Sequence, residues 1–237
     1  MHAPRLMPLA LATLAIAGCV THQRSAIDHA SIASEIRQLA DDDQHYDQLV
    51  INADPQIQTP GFYDRKRQLQ IERTARITQI FADIGFPAPP EFDTETASDF
   101  WLLVQHSDND PLFQQQVLDA MHALSEGTVR PSEKAYLIDR VRINTNREQI
   151  YGTQVDYDFD QARAYPKPLA DPASVDQRRR DVSLEPLSQY MNTMSEMNHT
   201  MNRAMYLQRG IETPWVYPPD FRDWDPRPAA DSAPSEE

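Results

Sequence analysis

The side chains best suited to chemistry lie between Asp99 and Gln154, with one short basic run beyond them. Three apolar segments stand there: FWLLVQHSDNDPLFQQQVLDAM from Phe100, AYLIDRV from Ala135 and EQIYGTQ from Glu148. Each begins or ends in His, Asp, Arg, Tyr or Gln, which is how a helical scaffold presents a polar pocket. Gln105, His106 and Asp108 fall at the end of one predicted helix. A helix C-terminus favours a protonated imidazole, and a nearby carboxylate can orient it, so His106 with Asp108 has the makings of a general acid or base. The same histidine also suits a capping role, bonding the free carbonyls of the last turn. Asp139 and Arg140 are neighbours on a helix and point about 100° apart, so one of them must address another element. Tyr151-Gly152 sets a phenol beside a residue that permits close backbone approach, and Thr153 and Gln154 follow it. Arg178 and Arg179 can clamp a carboxylate or phosphate with two parallel bonds, or can pair with the chain's own acids.

The elements that must position these groups read mostly as helices. Ile27, Ile32, Ile36 and Leu39, then Tyr46, Leu49 and Val50, suggest one or two amphipathic helices broken near Asp41-Asp42-Asp43. A longer helix runs from Phe62 or Tyr63 to Ile84, with Gly85 as its stop and Phe86-Pro87 forbidding continuation. Asp93 or Thr94 caps the next, which carries Trp101, Leu102 and Val104. In Asp108-Asn109-Asp110-Pro111 the proline that ends one helix is well placed as the first residue of another, with Asp110 as its cap. Ser132 caps a helix from Glu133 to Val141. Residues 142–155 then alternate and contain turn formers, so they read as a short hairpin, with a helix extended to Arg147 as the alternative. Tyr157 to Asp176 is loop-like, Leu184 to Gln208 is helical, and the Pro- and aromatic-rich residues from Pro214 form an irregular strap with an acidic, disordered end.

Gly85-Phe86-Pro87, WLLVQHSDNDPLFQ, AYLIDRV, QIYGTQ and VDQRR, with Leu184-Glu185-Pro186-Leu187 and Tyr190 after them, resemble a bacterial domain-of-unknown-function family. That family is marked by G-W-P, W-L-x-x-Q-H-A-D, A-Y-L-x-D-R-V, Q-x-Y-G-T-Q and V-D-x-R-R in the same order. The resemblance covers residues 69–191. Phe86 stands in place of Trp, Ser107 in place of Ala and Ser183 where Gly is usual; no titratable group is lost. The resemblance implies that His106, Asp108, Asp139, Arg140, Tyr151, Gln154, Arg178 and Arg179 converge. It brings no reaction with it.

The N-terminus addresses location. Arg5 precedes an uncharged stretch from Leu6 to Gly18 that ends Ile16-Ala17-Gly18-Cys19, the n-region, h-region and small-residue site of a secretory signal. The run is short for a bilayer-spanning helix. A small-residue site followed at once by Cys resembles the bacterial lipobox. That resemblance implies cleavage before Cys19, diacylglycerol on its sulfur and a further acyl chain such as palmitate on the new amino group, enough for stable anchoring. Val20 rather than Asp after the anchor implies, by the sorting rule for such lipoproteins, an outer-membrane protein facing the periplasm. Cys19 is the one cysteine, so no thiol is left for catalysis, zinc or a disulfide. The formal charge of -14 repels phosphate backbones and anionic headgroups, which argues against nucleic acid and leaves lipid as the membrane contact.

Met191, Met194, Met197, Met201 and Met205 share an arc of about 120° with Leu187 and Tyr190. Thioethers raise Cu(I) or Ag(I), with His199 as an imidazole ligand. His199 falls on the opposite side of the helix, however, and the arc reads as an adaptable apolar stripe for packing or for a protein partner. No metal or other cofactor is called for.

Together these features predict a mostly α, compact helical domain of five to six helices with room for one short β-hairpin. The predicted layout is a lipoprotein signal peptide over 1–18, a lipidated tether over 19–26, the helical domain over 27–210 and a Pro-rich acidic tail over 211–237. The expected role is that of a lipid-anchored envelope protein binding a polar small molecule, peptide or envelope component through Gln105, His106, Asp139, Arg140, Tyr151, Gln154, Arg178 and Arg179. Two rivals are a hydrolase using His106 with Asp108, and a structural or assembly lipoprotein whose Met-rich helix meets a partner. If the anchor is the lipid, Cys19→Ser should move the protein from the membrane pellet to the soluble fraction on fractionation; a variant that stays in the pellet would refute lipid attachment.

Overall fold

The computed structural model describes residues 27–224; the expected signal peptide, Cys19, the expected lipidated tether and the last thirteen positions lie outside them. The described residues form eight α-helices, two short 3-10 helices (Pro55–Gln58 and Pro172–Ser174) and one two-stranded antiparallel hairpin. No helix among the described residues is long and apolar enough to cross a membrane. The helices are α1 (His29–Ile51), α2 (Phe62–Ile84), α3 (Thr94–Gln105), α4 (Pro111–Ala123) and α5 (Pro131–Asn144), then α6 (Val175–Asp181), α7 (Leu187–Met201) and α8 (Arg203–Gln208). The strands are β1 (Val155–Asp158) and β2 (Arg163–Pro166).

Local chemistry accounts for most of the boundaries. Asp28, Asp93 and Asp110 each accept a bond from the backbone N–H three residues on, capping α1, α3 and α4. Pro111 and Pro131 open α4 and α5, where a missing N–H costs nothing. The first five helices enclose one core, with Ile36, Ile77, Ile80, Phe100, Leu103 and Phe113 at its centre. A second core gathers Ala164, Leu169, Val175, Leu187, Met191, Tyr217 and Trp224. Helix α5 serves both sides: Leu137 and Val141 enter the first core, while Tyr136 meets Tyr190 of α7 edge to face at 6.3 Å.

Five expectations need correction. Ser132 does not cap a helix at Glu133: α5 already opens at Pro131, with Arg130 at its N-cap and no side-chain capping bond. Helix α1 does not break at Asp41-Asp42-Asp43; Asp43 falls on the stripe of Ile36 and Ala40 and is buried with them, so the acid is an interior group and not a stop signal. Residues 142–144 finish α5, and 145–154 form a loop. QIYGTQ alternates like a strand, but its donors go to side chains: Asp139 takes three backbone N–H groups and the Gln149 side chain takes that of Gln154. The hairpin instead occupies part of the expected loop, with Val155 opposite Pro166 and Asp158 opposite Arg163. Its turn is held by Asp158 Oδ1, which accepts from the N–H groups of Asp160 and Gln161. The last long helix is split at Asn202 into α7 and α8, which lets the His199 ring stack on Tyr206 at 5.1 Å.

The stretch 211–224 has no regular secondary structure, yet it is packed. Tyr217 exchanges bonds with the Asn192 side chain and donates its hydroxyl to the Ala164 carbonyl at 2.7 Å. Burial pushes that phenol up to about 12. Of the methionine stripe, Met191 is fully buried, Met194 packs against the second core and Met197 is exposed.

Gly152 marks the tightest approach in this half of the molecule. Its φ is +73°, and a Cβ there would stand 2.8 Å from Cδ1 of the fully buried Leu187. Gly152→Ala should therefore lower unfolding free energy by about 2 kcal/mol, the sum of left-handed strain and overpacking. Urea titration checks this; a change below about 0.5 kcal/mol would mean that Leu187 yields freely.

Candidate functional site

The residues singled out by type and spacing separate into three groups, each with its own partners. His106 is the C-cap of α3, but its ring turns toward α1. Its Nδ1 lies 2.5 Å from Asp43 Oδ2 and 3.7 Å from Asp47 Oδ2. Arg73 of α2 ion-pairs with the other oxygen of Asp43, and Gln70 of α2 donates to the His106 carbonyl at 2.5 Å. Burial opposes ionisation of Asp43, yet the bond and charge of His106 and the charge of Arg73 outweigh it and hold the carboxyl below its ordinary value. A carboxylate can only accept, so Nδ1–H donates and a neutral His106 keeps its lone pair on Nε2. The oriented histidine foreseen from spacing is present, but its orienter is Asp43 and not Asp108.

Asp108 belongs to the second group. Its Oδ2 accepts from Arg140 Nη1 at 2.9 Å and its Oδ1 from Asn144 Nδ2 at 2.9 Å. Arg140 also donates through Nε to Gln105 Oε1 at 3.0 Å. Arginine has no acceptor, so the Gln105 amide is oriented unambiguously, with its nitrogen facing away from Arg140. That nitrogen is buried and has no partner among the described residues.

The third group builds the 149–154 loop. Asp139, fully buried, accepts from the N–H groups of Ile150, Tyr151 and Thr153 and from the Thr153 hydroxyl, at 2.7–3.1 Å. Burial raises its carboxyl above the ordinary value even though the three N–H donors pull the other way. Arg178 reaches the carbonyls of Ile150, Ala170 and Asp171. Arg179 donates to the carbonyls of Glu185 at 2.6 Å and Tyr151 at 2.7 Å. Gln154 Nε2 bonds the Thr153 hydroxyl. Asp139 and Arg140 diverge as their adjacency on the helix requires: the acid goes to the loop and the arginine to α3.

Groups two and three meet along one seam. Trp101 and Gln105 stand one turn apart on α3, as Tyr136 and Arg140 do on α5. Trp101 contacts Tyr136 edge to face at 6.3 Å, and Tyr136 contacts Tyr190 likewise. The Arg179 guanidinium lies 4.9 Å from the Tyr190 ring centroid, and the Tyr190 hydroxyl donates to the Thr153 carbonyl at 3.0 Å. Burial drives the Tyr190 phenol far above its ordinary value. Arg179 Nη2, like Gln105 Nε2, is buried without a partner. Trp101, Tyr136 and Tyr190 were not singled out as site residues beforehand, although the four-residue spacings Trp101–Gln105 and Tyr136–Arg140 were available. Asp43 and Arg73 were also missed; the available signal was an acid on the Ile36–Ala40 stripe.

A metal is the other reading of the His106 group, because ligand atoms of Asp43, Asp47 and His106 lie within 4.8 Å of one another. The fit is poor. Arg73 already supplies a cation to Asp43, and Lys66 supplies one to Asp47 at 2.8 Å. Beside this group, α1 and α2 enclose a cleft of about 450 Å³ lined by Leu39, Tyr46, Arg65, Leu69, Arg73 and Arg76 among others.

Comparison with known proteins adds one match: the model of the family of unknown function DUF6624 covers residues 30–201. No curated protein and no solved structure matches the chain. The matched span begins within α1 and so takes in Asp43 as well as the motifs from Gly85 onward.

The depressed carboxyl of Asp43 yields a signed pH dependence. Its contribution to stability is complete above the ordinary carboxylate range and is lost as pH falls through that range toward the depressed folded value. Asp43→Asn should cost about 3 kcal/mol near neutrality, because Arg73 loses its buried counter-charge and His106 Nδ1 its carboxylate acceptor. It should also flatten the fall of melting temperature between pH 6 and pH 3. Wild-type stability and an unchanged acid limb would contradict this account.

Proposed function

The chain belongs to the family of unknown function DUF6624, and from that premise we propose that it is a lipid-anchored envelope protein binding a polar small molecule along the seam of α3, α5, α6 and α7. Outer-membrane attachment through Cys19 is part of the same proposal and rests on the leader sequence. Six side-chain atoms among the described residues are buried without a partner, and the observation that carries the binding role is that two of them, Gln105 Nε2 and Arg179 Nη2, belong to the groups that meet at one aromatic seam. Burying an unsatisfied donor costs about 1–3 kcal/mol, and two of them along one aromatic seam are explained by a ligand that completes them. In this reading Gln105, Tyr136, Arg140, Tyr190 and Arg179 face the ligand. Asp139, Arg178 and Gln154 hold the loop that shapes its edge, since their bonds are already made within the chain.

A second reading is favoured by one observation of its own. The Asp43–His106 bond leaves Nε2 as the acceptor of a neutral imidazole whose side chain is about a quarter exposed, the arrangement of a general base with its orienter. This would make the protein a hydrolase with His106 as base and Asp43, in place of Asp108, as the orienting acid. A hydroxyl or thiol nucleophile is not part of the group, so a water would be the attacking species.

The test separates the two. Native mass spectrometry of the full-length protein released from detergent should show a co-purifying small molecule. Gln105→Leu should remove it while shifting the melting temperature by only a few degrees; His106→Gln should leave it in place. Loss with His106→Gln alone would favour the second reading, and no adduct in the wild type after a small-molecule library screen would overturn the first.

A further inference from the structure

The seam does not treat all polar ligands alike, and its inventory of charges and donors narrows the class. Arg179 is fully buried. Its Nε and Nη1 bond only main-chain carbonyls, its face lies on Tyr190, and Nη2 has no partner. Among the described residues no carboxylate forms an ion pair with it. The acids whose charges act on it are Glu185 and Asp139, but Glu185 offers its carbonyl and both Asp139 oxygens are taken by the loop. A buried cation without a contacting counter-charge is among the costliest arrangements in a protein interior. The burial also pushes the guanidinium below its ordinary value.

The remaining seam groups point the same way. Gln105 presents a free N–H₂ and no free oxygen, because Oε1 is committed to Arg140. Asp108 is committed to Arg140 and Asn144, and the Tyr190 hydroxyl already donates to Thr153. The seam therefore offers donors and positive charge, with its carboxylates committed within the chain. A cationic ligand would meet Arg140 and Arg179 with no acid free to receive it. A neutral one would satisfy donors but leave the guanidinium charge unbalanced. A phosphate dianion asks for more donors than one guanidinium nitrogen and one amide supply.

We infer that the ligand is a small carboxylate, its oxygens completing Arg179 and Gln105 and its apolar part lying against Tyr136 and Tyr190. This rests on the binding reading above and adds the chemical class to it. The chain's net charge of -14 opposes the approach of any anion, so affinity has to come from short-range contacts in a dry site, and added salt should weaken it little.

The test is calorimetric titration of the full-length chain in detergent with two size-matched series, acetate/acetamide/ethylamine and benzoate/benzamide/benzylamine, and with inorganic phosphate. A carboxylate should bind saturably and at least about tenfold tighter than its amide, with no binding of the amine. Gln105→Glu, which replaces the free donor by a negative charge, should weaken the carboxylate by at least about tenfold. Arg179→Met should erase the preference of acid over amide; if that variant does not fold, the Gln105→Glu arm carries the decision. An amide or amine that binds as well as the acid, and that Gln105→Leu abolishes, would overturn the carboxylate while leaving the seam as a binding site. Phosphate binding in place of carboxylates would also overturn it. Carboxylate binding that survives Gln105→Glu and falls steeply with salt would place the anion on exposed arginines and refute the inference. No saturable binding by any probe would overturn both the class and the seam.

Discussion

The second half of this molecule depends on one buried carboxylate. Asp139 projects from α5 and collects the N–H groups of residues 150, 151 and 153, so a loop with no ladder of its own acquires a fixed path across the helix. From the far side Arg178 and Arg179 take the carbonyls of residues 150 and 151. The N–H groups of residues 150 and 151 are thus held by an acid on one helix and their carbonyls by arginines on another. Asp139 and Arg179 thus hold the same residue, Tyr151, without an ion pair between them, and the guanidinium lies over the Tyr190 ring with Nη2 unbonded. Removing the acid would orphan three backbone donors at once, a cost no surface contact could offset.

The first half has an analogous joint built from different chemistry. Asp43, His106 and Arg73 come from α1, α3 and α2 and fasten three helices around one buried acid. Two joints of this kind explain how a protein with one cysteine, Cys19, and a large negative charge holds irregular segments. Both also use residues that resemble catalytic groups. Whether such a residue is available for chemistry depends on the atoms left over after the fold has used the rest: Nε2 of His106, the amide nitrogen of Gln105 and Nη2 of Arg179. Saturated groups such as Asp139 shape the site without entering it.

Much of the helical plan was legible because its signals are local. Asp93 and Asp110 mark helix starts through bonds that span three residues, Pro111 through its fixed backbone angle, and Gly85 marks a stop through its own backbone freedom. Where the reading slipped, a distant partner had overruled a local pattern. Asp43 looks like a helix breaker until Arg73 and His106 are placed beside it. QIYGTQ looks like a strand until Asp139 and Gln149 intercept its donors. The hairpin at 155–166 was hidden in a Pro-containing stretch because its pairing is fastened from outside, through Tyr217 and Asn192 of other segments.

The candidate site was half legible for the same reason. Spacing put Gln105, His106, Asp139 and Arg140 on helix ends and turns, and adjacency alone required Asp139 and Arg140 to diverge. By itself, then, the sequence determined the helical class, most of the caps and the set of polar residues worth following, since each is a property of a few consecutive residues. Which carboxylate meets His106, which arginine nitrogen goes unbonded, and that Trp101, Tyr136 and Tyr190 form a row of ring contacts ending at Arg179 were decided only by tertiary structure. Those facts depend on side chains dozens of positions apart competing for the same few hydrogen bonds, and only packing determines which of them win.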